Sequence, residues 1–148
     1  MEVYRIVRQQ YSRDFRASGN EARWNSEGKF IIYTSASRAL ACLENFVHRR
    51  GENSNQLYTT MVIKIPDELK VEEVRIRDLH PYWHLRKNYS ITRRIGNDWL
   101  QSLASAILKV PSAIIRQEHN YLLNPAHSDF KKIKAVEREV FRFDDRMV

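Results

Sequence analysis

The chain has 148 residues, 43% hydrophobic and 29% charged, and its 25 Lys and Arg against 18 Asp and Glu leave a net charge of +7. A single domain of this length buries roughly two-thirds of its unfolded surface, so residues 1–148 are expected to form one domain with a real core. Four Gly and four Pro exclude collagen-like or low-complexity sequence, the apolar runs fall far short of the about 20 residues of a membrane helix, and the one cysteine, Cys42, excludes an internal disulfide or a cysteine-cluster zinc site.

The opening residues Met1-Glu2-Val3-Tyr4-Arg5 carry no basic segment followed by an apolar one, so a cytoplasmic, reducing location is expected. Of the 25 basic residues 17 are Arg, whose planar fork of donors matches phosphate and carboxylate, and the basic excess leans towards residues 1–50. An anionic partner follows, whether a nucleotide, a nucleic acid or an acidic protein.

In chain order, Met1–Val7 alternates partly and reads as an edge strand, and Arg8–Ala22 as a loop punctuated by Ser18-Gly19-Asn20. Phe30–Thr34 is a short apolar run, a strand buried on both faces. From Ser37 to Arg50 the period switches: Ala36, Leu40, Leu43 and Val47 share one helical face, with Ser35 or Ser37 as N-cap and Gly51 at the C-terminal end. Leu57–Ile65, stopped by Pro66, and Val71–Arg77 read as strands, and Leu79–Asn88 as an aromatic loop. Ile91–Ser105 reads as a helix that Gly96 can split. Ala106–Val110 and Ala113–Ile115 are strand segments around Pro111-Ser112, Asn120–Pro125 is an apolar loop, and Ile133–Phe143 is a final strand. Short strands with two principal helices give an α+β class rather than a doubly wound sheet.

Several side chains stand out against this background. Glu44 lies at the edge of the Leu40/Leu43/Val47 stripe, one turn before His48; the wheel alone favours a boundary Glu making an i,i+4 contact over a carboxylate aimed into a cleft. Arg23, beside Trp24, reads as a surface cation–π pair or as a clamp for diphosphate or carboxylate. Tyr33 ends an apolar strand as a core ring with its hydroxyl at the rim. Ser112 lacks the G-x-S-x-G context of a nucleophile elbow and reads as a turn residue. Asn120 and Asn124 can cap backbone or contact ligand. His80 and His84 flank Pro81 outside any H-E-x-x-H pattern, and neither G-x-x-x-x-G-K-[ST] nor G-x-G-x-x-G is present. No helix-turn-helix or RNP-like pattern accompanies the basic charge, so direct nucleic-acid binding is not expected.

Taken together, Arg23-Trp24-Asn25, Tyr33-Thr34-Ser35, Ala39-Leu40-Ala41 leading to Glu44, and Ile95-Gly96-Asn97-Asp98-Trp99-Leu100 resemble the RES domain family. The likeness continues through Val110-Pro111-Ser112-Ala113, Asn120-Tyr121-Leu122-Leu123-Asn124-Pro125, His127 and Phe143-Asp144-Asp145-Arg146, and so covers about Tyr4 to Arg146. The family is named for an Arg, a Glu and a Ser, which fall here at Arg23, Glu44 and Ser112. Glu21-Ala22 is a departure, since relatives often carry Gly-Gly before the Arg.

The resemblance implies an ADP-ribosyltransferase-like core of short mixed strands flanked by helices. It implies a toxin of a bacterial type II toxin–antitoxin pair that takes NAD as substrate, needs no metal and no membrane, and is covered at its active site by an Xre-type antitoxin. It casts Glu44 as the carboxylate that stabilises an oxocarbenium-like transition state. Arg23 would bind the diphosphate or the nicotinamide ribose, and Tyr33 would pack against nicotinamide. Ser112 would bond the ribose or orient Glu44, and Asn124 would reach the same pocket. The acceptor stays open between water, phosphate and a protein side chain. An inactive module that binds an antitoxin or nucleic acid is the alternative.

Overall fold

The computed structural model describes residues 1–49 and 56–147, and these adopt the α+β class expected from the sequence. Its strands are β1 (Glu2–Arg8), β2 (Ile32–Ser35), β3 (Tyr58–Lys64), β4 (Val71–Glu73), β5 (Ile107–Pro111), β6 (His119–Leu123) and β7 (Lys134–Phe141). The helices are α1 (Arg38–Arg49) and α2 (Tyr89–Ser102). The strands join in one sheet of order β4-β5-β6-β2-β1-β3-β7, antiparallel throughout except for the parallel pair β4–β5.

The two-residue period of the strands sorts the core into layers. Ile32, Leu123, Ile107, Val3, Met61 and Ile63 pack on one face, under irregular segments that contribute Phe15, Ala17 and Phe130. Tyr33, Leu122, Leu108 and Val110 point the other way, against Trp24, Trp83 and the α2 residue Trp99. A smaller cluster of Ile6, Ala41, Tyr58 and Phe143 seats α1 on β1 and β3. The Ser37 hydroxyl accepts from the backbone N–H of Leu40 and caps α1, one of the two caps expected. Arg50 and Gly51, expected at the end of that helix, lie outside the described residues.

Several sequence expectations are corrected. β1 is no edge strand: it lies between β2 and β3 and pairs with β3 along its full length. Its polar residues Tyr4 and Arg5 line a cleft. The buried face of α1 is centred on Leu40 and Ala41, while Val47 is 50% exposed. Asn120–Pro125 is mostly strand, since β6 is hydrogen-bonded on both sides, and that enclosure explains its apolar content. Ala113–Ile115 is a bend rather than a strand. The strand read at Val71–Arg77 keeps only its first three residues before a 3-10 turn at Ile76–Asp78.

Gly96 does not split the second helix. α2 runs unbroken to Leu103, where a left-handed φ of 53° ends it. A Cβ on Gly96 would stand 1.8 Å from the carbonyl oxygen of Trp24, so this glycine lets the helix meet the backbone of the Trp24 loop directly.

Candidate functional site

β1 and β2 are joined at a single register pair, Tyr4↔Ser35. Beyond that point the sheet opens, and a cleft of about 610 Å³ lies in the split, a volume typical of small-molecule sites. Its lining comes from Arg5 and Val7 of β1, Tyr33 and Ser35 of β2, Glu44, Asn45 and His48 of α1, the Arg23 loop, and Tyr89 at the start of α2.

Glu44 enters this cleft because α1 begins directly after β2. Leu40, Ala41, Glu44, Asn45 and His48 fall on the side of the helix turned to the sheet and the cleft, at i, i+1, i+4, i+5 and i+8. The Glu44 side chain is 19% exposed. Its Oε1 accepts two hydrogen bonds, from Ser112 Oγ at 2.8 Å and from Asn120 Nδ2 at 2.7 Å. Both donors are themselves fixed. Ser112 is fully buried, and its oxygen accepts the backbone N–H groups of Ile114 and Ile115 at 3.1 Å each, which leaves its hydroxyl hydrogen for Glu44. Asn120 Oδ1 accepts from Ser35 Oγ at 2.7 Å, which turns its amide nitrogen towards the carboxylate. One oxygen of Glu44 is held and the other, Oε2, has His48 Nε2 at 4.0 Å.

Arg23 belongs to the same lining. Its guanidinium stacks 4.6 Å from the centre of the Tyr89 ring and 5.8 Å from that of Trp83, and Nη1 donates to the Trp83 carbonyl at 3.2 Å. Burial pulls its pKa below the ordinary Arg value, with nearby Tyr89 and Glu44 opposing. The loop that carries it is clamped by α2: Thr92 Oγ1 donates to the Arg23 carbonyl at 2.6 Å, Arg93 Nε to the Ala22 carbonyl at 2.7 Å, and Asn97 Nδ2 to Ser26 Oγ at 2.8 Å. Asn25, buried inside the loop, donates to the carbonyls of Asn20 and Lys29 at 2.9 Å each.

Tyr33 links this loop to the sheet. Its hydroxyl donates to Asn25 Oδ1 at 2.6 Å and accepts from the Trp24 N–H at 3.1 Å. Burial pushes the phenol well above the ordinary tyrosine range, so it stays a neutral donor. Tyr33 also lines the cleft.

Arg23, Tyr33 and Glu44 therefore share one cleft, and Ser112 stands behind Glu44 rather than in the lining. Asn124 lies elsewhere: fully buried, it donates to the Leu100 carbonyl at 3.2 Å and accepts from the Ala126 N–H at 3.0 Å. Sequence reasoning left the role of Asn120 open and read Ser35 only as a cap; the two form the second support of Glu44. It also passed over Arg5, which lines the cleft and whose Nη1 donates to the Arg16 carbonyl at 2.9 Å, and Asn45, another lining residue, whose Oδ1 is buried without a partner. Two-sided pairing of β6 was the missing signal for Asn120, because it dictates which residues meet Glu44.

The RES domain model matches residues 2–144, and the chain belongs to the RES domain family. The Prs ADP-ribosylating toxin of a Sphingobium species is 38% identical over 128 residues, covering 85% of this chain and 80% of the relative. The Toxin Res of Yersinia enterocolitica is 32% identical over 152 residues, covering 99% of each, and that of Photorhabdus laumondii is 33% identical over 154 residues, covering 100% of this chain and 97% of the relative. A chain in the crystal structure of the M. tuberculosis MbcT–MbcA toxin–antitoxin complex shares the fold, with a TM-score of 0.79 over 95% of this chain and 84% of that one at 13% identity.

Proposed function

We propose that this protein is the toxin of a toxin–antitoxin pair and that it consumes NAD by breaking the nicotinamide–ribose bond. The observation that carries the reading is Glu44: a carboxylate fixed by two donors on Oε1 in a cleft that Arg23 also lines. The names of the relatives, toxins throughout and one of them ADP-ribosylating, support the same reading.

In this mechanism the bond between C1′ of the ribose and the nicotinamide nitrogen breaks with its electron pair leaving on nicotinamide, and positive charge grows on the sugar. Glu44 stabilises that charge through a ribose hydroxyl bonded to Oε2, and its fixed orientation means little reorganises as the charge forms. Arg23 holds the diphosphate with its remaining donors, and the Tyr33 ring packs on nicotinamide. Ser112 and Asn120 position Glu44. No metal is required by this scheme. A cytoplasmic protein of this kind needs an inhibitor, and an Xre-type antitoxin that covers the cleft would supply it.

The acceptor for ADP-ribose distinguishes a glycohydrolase or phosphorylase from a protein ADP-ribosyltransferase, and the Sphingobium relative's name favours keeping the second. The test is nicotinamide release from NAD by the purified chain, with and without inorganic phosphate, beside Glu44→Ala. Release abolished by the substitution is expected. Release that persists in Glu44→Ala overturns the site. If the purified chain releases none, transfer of labelled ADP-ribose to a lysate protein decides for the second reading, and no transfer either overturns NAD cleavage altogether.

A further inference from the structure

His48 lies one turn beyond Glu44 and lines the same cleft, yet nothing in the scheme above uses it. Its Nε2 stands 4.0 Å from Glu44 Oε2, too far for a direct hydrogen bond, so neither atom satisfies the other. The two side chains differ in access. Glu44 is 19% exposed and anchored, whereas the His48 side chain is 67% exposed and open to anything that enters from solvent. Because Glu44 Oε1 is saturated by Ser112 and Asn120 and Oε2 is given to the ribose hydroxyl, the exposed Nε2 of His48 is the group this helix leaves for an incoming oxygen beside the sugar. We propose that His48 is the acceptor-side base: its neutral Nε2 takes the proton of the hydroxyl that attacks the ribose.

The proposal rests on the NAD-cleaving reading above and assigns the half of that reaction left open. As the C1′–N bond breaks and nicotinamide departs with the electron pair, the acceptor oxygen forms its bond to C1′. The acceptor's proton moves to His48 Nε2 and then to solvent, so charge and atoms balance. The chemical class is a neutral hydroxyl, water or an alcohol side chain. An already ionised phosphate oxygen has no need of a base. Among the described residues, and besides Glu44 on its own helix, the charged and titratable groups lining the cleft with His48 are Tyr4 and Arg5 of β1, Glu21 and Arg23 of the clamped loop, Tyr33 of β2, Arg86 ahead of α2 and Tyr89 at its start. Arg49, next in sequence, is stacked 4.1 Å from the Phe143 ring centre and turned to the core.

The experiment measures nicotinamide release across pH for the full chain and for His48→Gln, Glu44→Gln and His48→Ala, the last with and without free imidazole. In the parent chain, kcat is expected to rise with pH along a one-proton limb. His48→Gln should lower kcat by about 10²-fold, the low end for a lost general base, flatten that limb, and leave KM for NAD within about threefold. Imidazole should restore part of the activity of His48→Ala. Circular dichroism should report unaltered folding, as an exposed side chain on a helix surface allows. The proposal is overturned if His48→Gln keeps the parent kcat and pH limb, or if it raises KM alone. It is equally overturned if activity falls as pH rises and depends on inorganic phosphate, since His48 would then be a cationic anchor. Loss of release in Glu44→Gln with a parental profile in His48→Gln sinks His48 alone. Failure of the parent chain to use NAD, by release or by transfer, removes the underlying reading and this proposal with it.

Discussion

Ser112 Oγ donates to Glu44 Oε1 at 2.8 Å across 68 residues of sequence, and the same oxygen accepts two backbone N–H groups from the turn that follows it. Ser112→Ala removes both functions at once. Loss of a hydrogen bond to a charged group is worth about 1.5–3 kcal/mol, so kcat for nicotinamide release should fall roughly ten- to hundredfold. The N–H groups of Ile114 and Ile115 lose their acceptor, so the melting temperature should fall as well. Ser112→Thr keeps the hydroxyl and should recover part of the rate; a Thr variant as slow as the Ala variant would mean that the serine acts only through packing.

Asn120 is the other donor to Glu44, at 2.7 Å. Asn120→Asp sets a second carboxylate against the first, and two carboxylates at that distance resist joint ionisation. The folded variant then retains a proton that the unfolded chain releases at the ordinary carboxylate pKa. Its stability relative to the parent is therefore highest in acid and falls as pH rises through and above the carboxylate range. Thermal melts of the two proteins from pH 4 to 8 test this: their difference should widen with pH, and a constant difference would refute the shared-proton picture. Activity at neutral pH should be lost.

Gly96→Ala sets helix propensity against packing. In an exposed helix the substitution gains about 1 kcal/mol. Here the new Cβ meets the Trp24 carbonyl oxygen at 1.8 Å, and that oxygen is backbone, held by the clamped Arg23 loop. Overpacking should win, with a net loss of about 1–3 kcal/mol by denaturant unfolding. Because the displaced loop carries Arg23, KM for NAD should rise too. A stabilised Gly96→Ala would show that the loop yields freely.

Two histidines tie stability to pH. His84 is held below the ordinary imidazole value by burial and then by Arg116 and Arg23, and His119 by burial and then by Lys109. Both pKa values are lowered in the folded state, so the unfolded chain binds more protons in acid. Stability is fully present above the ordinary imidazole pKa and declines as pH falls below it. Melting temperatures should drop from pH 7 towards pH 5, and the double variant His84→Gln/His119→Gln should flatten that limb. An acid limb unchanged in the double variant would assign it to other groups.

Local signals in the chain were enough for the α+β class, the strand ended by Pro66, the helix capped by Ser37, and the aromatic segment that supplies Trp83. These follow from periodicity, caps and proline, which act within a few residues. The order of chemistry-bearing segments was also legible, enough to mark the RES family likeness and to bring Arg23, Tyr33 and Glu44 forward together. The wheel for α1 favoured a boundary Glu44, because a hydrophobic stripe records average burial and cannot register a polar cleft beneath the same face.

What only the tertiary structure decided is non-local. β1 becomes an inner strand and the sheet opens beside it because β2 and β1 share one register pair, a fact set by how seven strands order themselves. Ser112 and Asn120 reach Glu44 from 68 and 76 residues away, whereas Asn124, only four residues past Asn120, is turned into the Leu100 and Ala126 backbone. Two asparagines four residues apart thus take different roles. The register of β6 against β2 sets Asn120 opposite Ser35 and beside the carboxylate, whereas Asn124 lies past the end of the strand, and register is a property of strands paired across the whole chain.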